Sequence, residues 1–365
     1  MRTKTFPILK NLLKKILFFL LFLMYFSFFS CTFALSICYF GMLQVNEAQD
    51  IINKHIRDLH YPGSPERLYE PIRYVLALGG KRIRPAFALL ACNLFSEDVE
   101  SAIEPAIGLE VFHNFTLLHD DIMDKADIRR GHQTVHKKWC DNVAILSGDA
   151  MQIDAYRHVA QAPQSKLKEI LDLFSQTAIE VCEGQQFDMD FEQRNNVSLP
   201  EYIEMIRLKT AVLLACSLKM GALVGNANTT DASLLYEFGI NLGLAFQLQD
   251  DFLDVYGDVE KFGKNIGGDI LCNKKTFLLI SALKVADDST RQELEKWLTV
   301  PNPNPQQKID AVTDIYNRLK TKQICQEEME NYYQKALYAL RSVSCPDQRK
   351  EVLQNYSNRL MQRES

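Results

Sequence analysis

A single all-α domain, a helical bundle around a central cavity, is the fold class this sequence predicts, and three observations predict it. Amphipathic helical segments follow one another from Met42 to the C-terminus, with no convincing strand among them. The connections are short, and no linker splits a body of roughly 320 residues. Two Asp-Asp-x-x-Asp clusters sit on apolar helical backgrounds, 130 residues apart from Asp120 to Asp250. Helices bearing matched carboxylates face each other in this way across the cavity of a metal-binding bundle.

The pattern predicts a first helix over 46–59, ended by the turn-rich Tyr61-Pro62-Gly63-Ser64-Pro65, and a second over 67–78, stopped by Gly79-Gly80. Lys81-Arg82-Ile83-Arg84-Pro85 then opens an apolar helix through Leu94. Pro85 stands in its first turn, where a missing donor does no harm. Pro105 is the expected start of the helix that carries the first acidic cluster. Helices over 147–160, 166–184 and 199–225 continue the series, the last with Ser198 as N-cap and Pro200 in its first turn. The helix over 232–256 carries the second cluster. Helices over 277–286 and 323–343 follow, with a proline-rich loop at 300–305 between them.

In a helix the first and last Asp of each cluster, Asp120 with Asp124 and Asp250 with Asp254, are four residues apart on one face. Asp121 and Asp251 lie beside them, and Leu117, Leu118, Ile122 and Met123 suit the buried side. Carboxylates crowded like this repel one another, and oxygen-only ligands suit a hard cation such as Mg²⁺. Mg²⁺ keeps coordination sites for water and phosphate, so two clusters on opposing walls point to a diphosphate between them. The plainer alternative, a solvated acidic face on each helix, leaves the flanking cations without a purpose. These are Lys81, Arg82 and Arg84, then Arg129-Arg130 beyond Asp124, Lys209 before Thr210 within an apolar helix, and Lys264, Lys274 and Lys275 after the second cluster. Arg binds phosphate oxygens as a fork and Lys as a point charge.

Composition excludes other classes. The net charge is −5 and no basic run is interleaved with aromatics, so there is no nucleic-acid signature. The nine cysteines are odd in number and include no C-x-x-C pair. They read as buried thiols of a reducing compartment rather than a disulfide or zinc framework.

Residues 1–41 are different in kind. Five basic residues precede an uncharged stretch rich in Phe and Leu, long enough over residues 16–40 to anchor the chain in a membrane. The competing expectation is that translation begins at Met42, which leaves residues 42–365 as the helical domain with a net charge of −10. The positive flank would keep the N-terminus inside and send the domain across the bilayer, away from cytosolic diphosphates. That topology favours a start at Met42, a cytoplasmic protein, and a membrane association only if residues 1–41 are made.

From Met42 onward the residues resemble the trans-isoprenyl diphosphate synthases, or polyprenyl synthetases. The resemblance rests on ordered motifs: Gly79-Gly80-Lys81-Arg82-Ile83-Arg84-Pro85, His113, Asp120-Asp121-Ile122-Met123-Asp124, Arg129-Arg130-Gly131, Lys209-Thr210, Phe246-Gln247-Leu248-Gln249-Asp250-Asp251-Phe252-Leu253-Asp254 and Lys274-Lys275-Thr276. It implies the isoprenoid synthase type I fold and a homodimer. It also implies a Mg²⁺-dependent condensation of isopentenyl diphosphate with an allylic diphosphate, using three ions. Asp120, Asp121, Asp124, Asp250, Asp251 and Asp254 are then the candidate metal ligands. Arg129, Lys209 and Lys274 then neutralise the allylic diphosphate, Lys264 is a further substrate-binding candidate, Thr210 and Gln247 face the allylic cation, and Lys81, Arg84, His113 and Arg130 hold isopentenyl diphosphate. Gln185 and Asp188 resemble a supporting segment, and His119 is expected to be structural.

Chain length is addressed by Phe112 and Phe115, eight and five residues before Asp120. They lie roughly 12 and 7.5 Å back along the helix at about 1.5 Å per residue, where a ring would form the floor of a product cavity. Together with an uninserted first cluster, this resembles producers of farnesyl or geranylgeranyl diphosphate; ordinary core packing is the plainer alternative. Three other readings stay open: a class I terpene cyclase, which needs no second diphosphate site, a longer-chain synthase, and a non-catalytic partner subunit of a synthase.

Overall fold

The computed structural model describes residues 42–257 and 266–362. The candidate anchor and Lys264 lie outside the described residues. Among those described, no helix is long and apolar enough to cross a membrane.

Helices α1 (Val45–Arg57), α2 (Glu66–Ala77) and α3 (Ile83–Asn93) lead to α4 (Glu100–Met123), which carries the first acidic cluster. A hairpin of β1 (Ile128–Arg129) and β2 (His132–Gln133) and the short α5 (Val135–Lys138) separate α4 from α6 (Asp141–Val159) and α7 (Leu167–Glu192). Then α8 (Leu199–Ile206), a π-helical turn (Arg207–Ala211) and α9 (Val212–Val224) run on without a break. Helix α10 (Thr229–Tyr256) bears the second cluster, and α11 (Gly268–Leu271), α12 (Phe277–Val285), α13 (Asp288–Thr299), α14 (Pro305–Arg318), α15 (Thr321–Ser342) and α16 (Asp347–Met361) complete the described chain.

The core forms around α9, which is apolar on every side. All of its residues are buried except Lys219, as expected of a helix enclosed by others. Close packing there depends on Gly221, where a Cβ would stand 1.9 Å from the carbonyl oxygen of Ala88 on α3. Ser198 caps α8 as expected, in a reciprocal capping box with Glu201.

Several expectations are corrected. Pro105 does not begin α4: Asp98 Oδ1 accepts from Glu100 N at 2.9 Å, so the helix starts a turn earlier and carries the proline inside. Gly184 does not end α7, which continues to Glu192. The glycine serves close approach instead, since a Cβ there would lie 2.3 Å from Lys209 N in the π-helical turn. The expectation of no strand misses the hairpin, whose turn residues Arg130 and Gly131 both have positive φ, 53° and 77°. That is the backbone of a type I′ turn, and Arg130 occupies a position where Asn or Asp would have signalled it. The cysteines are not uniformly buried: Cys140, Cys182 and Cys272 are exposed. Finally, α13, α14 and α16 are helices the pattern did not predict: polar residues dominate them, and α13 buries only Leu294, so little apolar sequence announces them.

Candidate active site

The C-terminal end of α4 brings Asp120 and Asp124 to one rim of the bundle. Facing it from α7 is Asp188, and the π-helical turn carries Lys209 between them. Lys209 Nζ lies 2.6 Å from Asp188 Oδ2 and 3.2 Å from Asp120 Oδ1. Burial lowers the Lys209 ammonium pKa, but Asp120 and Asp188 more than reverse this, so the net shift is upward. Burial and the neighbouring Asp120 push Asp124 up to about 6. Asp120 Oδ1 is buried and makes no hydrogen bond among the described residues, despite the nearby lysine. A carboxylate oxygen whose contact is an ion pair shared with Asp188, beside a carboxylate with a raised pKa, leaves room for added positive charge, and the donor set is all oxygen, which fits Mg²⁺. Among the described residues no three His, Cys, Asp or Glu side chains converge closely enough to hold an ion by themselves. The residues therefore fit Mg²⁺ that completes its shell with water and substrate oxygens.

The second cluster joins the same site through Lys274. Burial pulls the Lys274 ammonium down, but Asp269, Asp188, Asp251 and Asp124 act together to raise it. One lysine thus feels carboxylates from both clusters, as two helices facing across a cavity require. Asp251 is buried. It accepts a short hydrogen bond from the Tyr202 hydroxyl and another from Gln247 Nε2 at 3.2 Å. Burial and neighbouring Asp269 push its carboxyl up. Asp250 is half-buried, and Asp254 Oδ2 accepts from Asp269 N at 2.9 Å. Gln247 is oriented twice over, because its amide oxygen accepts from the Thr210 hydroxyl at 3.0 Å. Tyr202, on α8, is a member of this network that sequence reasoning missed. It stands between Glu201 and Ile203 in a short amphipathic helix, and nothing in its spacing marks it.

The hairpin sends its two adjacent arginines to different partners. Arg129 Nε donates to Asp121 Oδ1 at 2.6 Å, and its NH2 reaches Asp120 at 3.4 Å. Arg130 NH1 donates to the carbonyl of Gly79 and to Asn114 Oδ1 at 3.4 Å. Gly80 admits that guanidinium, for a Cβ there would stand 3.1 Å from its central carbon. Arg84 NH1 lies 3.1 Å from His113 Nε2. Arginine can only donate, so this imidazole nitrogen accepts. Burial and then Arg84, Arg130, Arg129 and Arg82 hold the His113 pKa well below its usual value. Arg84 Nε is buried and makes no hydrogen bond among the described residues. Burial pulls the Arg84 pKa down to about 10, against the attraction of Glu110. This pocket, a hydrogen-bond acceptor among guanidiniums with one buried donor unpartnered among the described residues, has the chemistry to take an anion. Lys81 is exposed in the loop that leads into it.

Arg82 does not line this pocket. Its αL backbone (φ 46°) turns it inward to a buried ion pair with Glu110, NH1 to Oε1 at 2.6 Å. Glu110 also accepts from Asn114 Nδ2 at 3.0 Å. Sequence reasoning passed over Glu110, although an acidic residue inside an apolar helix, three before His113, is a usable signal.

Below the carboxylates on α4, Phe115 is buried and packs against His119 and Phe112, with ring centroids 4.8 and 5.3 Å away. His119 Nε2 contacts the Ile145 carbonyl at 3.1 Å, in keeping with a structural role.

A helical bundle with two acidic walls, bridging lysines and a separate guanidinium pocket defines a diphosphate-handling enzyme. The polyprenyl synthetase family model matches residues 65–317. A geranylgeranyl diphosphate synthase of Methanosarcina mazei is 42% identical over 222 residues, 60% of this chain and 68% of the relative. One of Sulfolobus acidocaldarius is 36% identical over 304 residues, 82% and 90% of the two chains. A solved geranylgeranyl pyrophosphate synthase superposes with a TM-score of 0.85 at 43% identity, covering 89% of this chain and all of that one. The chain belongs to the polyprenyl synthetase family, and it is a trans-prenyltransferase with the all-α isoprenoid synthase fold.

Proposed function

We propose that this enzyme joins isopentenyl diphosphate to an allylic diphosphate in a Mg²⁺-dependent reaction and releases diphosphate with a short all-trans product, farnesyl or geranylgeranyl diphosphate. The names of the relatives favour the longer of the two. The observation that carries this reading is the presence of two separate cation groups, one between the acidic clusters and one around His113. A terpene cyclase, which takes one diphosphate, has no use for the second.

In this reading Asp120, Asp121, Asp124, Asp250, Asp251 and Asp254 would hold three Mg²⁺ ions. Bound there, Mg²⁺ supplies Lewis-acid stabilisation to the departing diphosphate. Arg129, Lys209 and Lys274, with Lys264 beyond the described residues, neutralise the same group. The allylic C–O bond breaks with its electron pair leaving on the diphosphate. The Thr210 and Gln247 oxygens, held by their mutual hydrogen bond, sit beside the resulting cation without attacking it. Lys81, Arg84, Arg130 and His113 hold isopentenyl diphosphate, whose double bond supplies the pair for the new C–C bond. The proton lost to form the product's double bond goes to the departed diphosphate. Neutral His113 fits a hydrogen-bonding role, since its arginine neighbours already carry the positive charge.

Product analysis with isopentenyl diphosphate, each allylic primer and Mg²⁺ tests this function. No elongated product from the purified chain alone would favour a non-catalytic partner subunit instead. Phe115→Ala is expected to lengthen the product by at least one five-carbon unit, read by chromatography of the dephosphorylated products. An unchanged distribution would remove Phe115 from the floor.

The exposed apolar residues Ile145, Leu146 and Ile153 of α6 and Ile179 of α7 favour a homodimer that covers them. Sedimentation at micromolar concentration should read twice the chain mass, and a monomer mass would contradict this. We place the catalytic unit in residues 42–365, on the cytoplasmic side where its charged substrates are. The N-terminal mass of the native protein shows whether residues 1–41 accompany it.

A further inference from the structure

We propose that Tyr202 is a positioning residue for the condensation: through Asp251, its hydroxyl fixes which end of the Gln247 amide meets Thr210, a role that rests on the placement of Thr210 and Gln247 beside the allylic cation above. The two ends of that amide are opposite in character, and only the oxygen faces a carbocation favourably. A threonine hydroxyl both donates and accepts, so Thr210 by itself would satisfy either end. An ionised carboxylate only accepts. Asp251 Oδ1 accepts from Gln247 Nε2 at 3.2 Å, which leaves Gln247 Oε1 to accept from the Thr210 hydroxyl at 3.0 Å. The carboxylate therefore decides the orientation of the amide. What holds the carboxylate is Tyr202, whose hydroxyl donates to its other oxygen, Oδ2.

The backbone brings both contacts to one seam. Tyr202 on α8 and Thr210 in the π-helical turn are eight residues apart on one continuous run. In an unbroken α-helix they would point about 80° away from each other. Within the π-helical turn Val212 N donates to Arg207 O, five residues back. Such a turn holds more residues than an α-helical one, which reduces that angle and brings Tyr202 and Thr210 toward a common face. On α10, Gln247 and Asp251 are four apart and also share a face. Tyr202 thus reaches Asp251 while Thr210 reaches Gln247, and the three hydrogen bonds form a single chain. Its far end is fixed in the core. Tyr202 is 2% exposed, and its ring packs edge to face on Phe277 of α12 with centroids 6.3 Å apart. Asp251 is buried as well, so bulk water does not replace the hydroxyl when it is removed.

The test compares Tyr202→Phe, Gln247→Leu and the double variant with the parent. Steady-state kinetics use isopentenyl diphosphate, an allylic diphosphate and Mg²⁺, and the same proteins are melted in chelator. Tyr202→Phe removes one oxygen and keeps the ring, and kinetics run well below the lowest Tm keep unfolding out of the rates. Its kcat should fall about tenfold, the scale of one hydrogen bond to a charged group. Both KM values and the half-saturating Mg²⁺ concentration should stay within about twofold of the parent, as for an interaction that counts only in the transition state. The double variant should be no slower than Gln247→Leu alone. In chelator its loss of Tm should be smaller than the sum of the single losses, because one chain of bonds is cut twice. Parental kcat in Tyr202→Phe beside a slow Gln247→Leu overturns the role of Tyr202, as do additive losses of rate. A changed Mg²⁺ requirement overturns it too, by moving the effect of Tyr202 to the metal. Parental kcat in Gln247→Leu removes Gln247 itself from the reacting centre, and the role of Tyr202 with it.

Discussion

Asp120→Asn is expected to lower kcat/KM by about three orders of magnitude or more while leaving the fold intact. The substitution is nearly isosteric, and it removes a carboxylate that faces both Lys209 and Arg129, at 3.2 and 3.4 Å. Losing a metal ligand at a site of developing charge forfeits several kcal/mol of transition-state stabilisation, with each tenfold in rate worth about 1.4 kcal/mol. Stability should hardly suffer, because Asp120 also repels Asp124 and helps to raise its pKa. Steady-state kinetics and a thermal melt on the same preparation separate the two effects. Activity within tenfold of the parent would remove Asp120 from the reacting centre.

The largest effect on stability should come from Glu110→Ala. Glu110 and Arg82 are 2% and 5% exposed, and their ion pair is 2.6 Å long. Removing one partner leaves a buried guanidinium without its counter-charge, which costs about 3–5 kcal/mol. Replacing both residues by apolar ones of similar volume should cost far less, because no charge is then stranded. Urea denaturation of the single and double variants measures the difference. A loss below about 1 kcal/mol for Glu110→Ala would show that Arg82 finds other partners. Glu110 also acts on Arg84 and Arg130, which gives this pair a second consequence: anion binding at their pocket should change along with stability.

Much of the site was legible because its chemistry is written in charge. Asp120, Asp124, Arg129, Lys209 and Lys274 are marked by residue type and by their order along the chain, although Asp124 and Lys274 are exposed and the other three only half-buried. The structure brings all five together. What was hidden depends on shape rather than residue type. Arg82 and Arg84 are two positions apart in one basic run, yet one is locked to Glu110 and the other faces His113, and only the αL turn at Arg82 decides which. Tyr202 joins Asp251 through a fold contact spanning 49 residues. The fold was legible in its amphipathic helices, and least so in α13, α14 and α16, where polar residues dominate. Gly184 reads as a helix stop by type and acts as a contact point by position.

The account's central claim is that two diphosphates bind at chemically different sites, one through metal and one through fixed cations. Calorimetric titration of the purified enzyme, with Mg²⁺ and again with chelator, tests it most directly. The ligands are isopentenyl diphosphate and an unreactive thio analogue of an allylic diphosphate, each titrated alone. The prediction is that the allylic analogue loses its binding in chelator, while isopentenyl diphosphate still binds through Arg84, Arg130 and His113. Equal dependence of both ligands on Mg²⁺, or indifference of both, would contradict it.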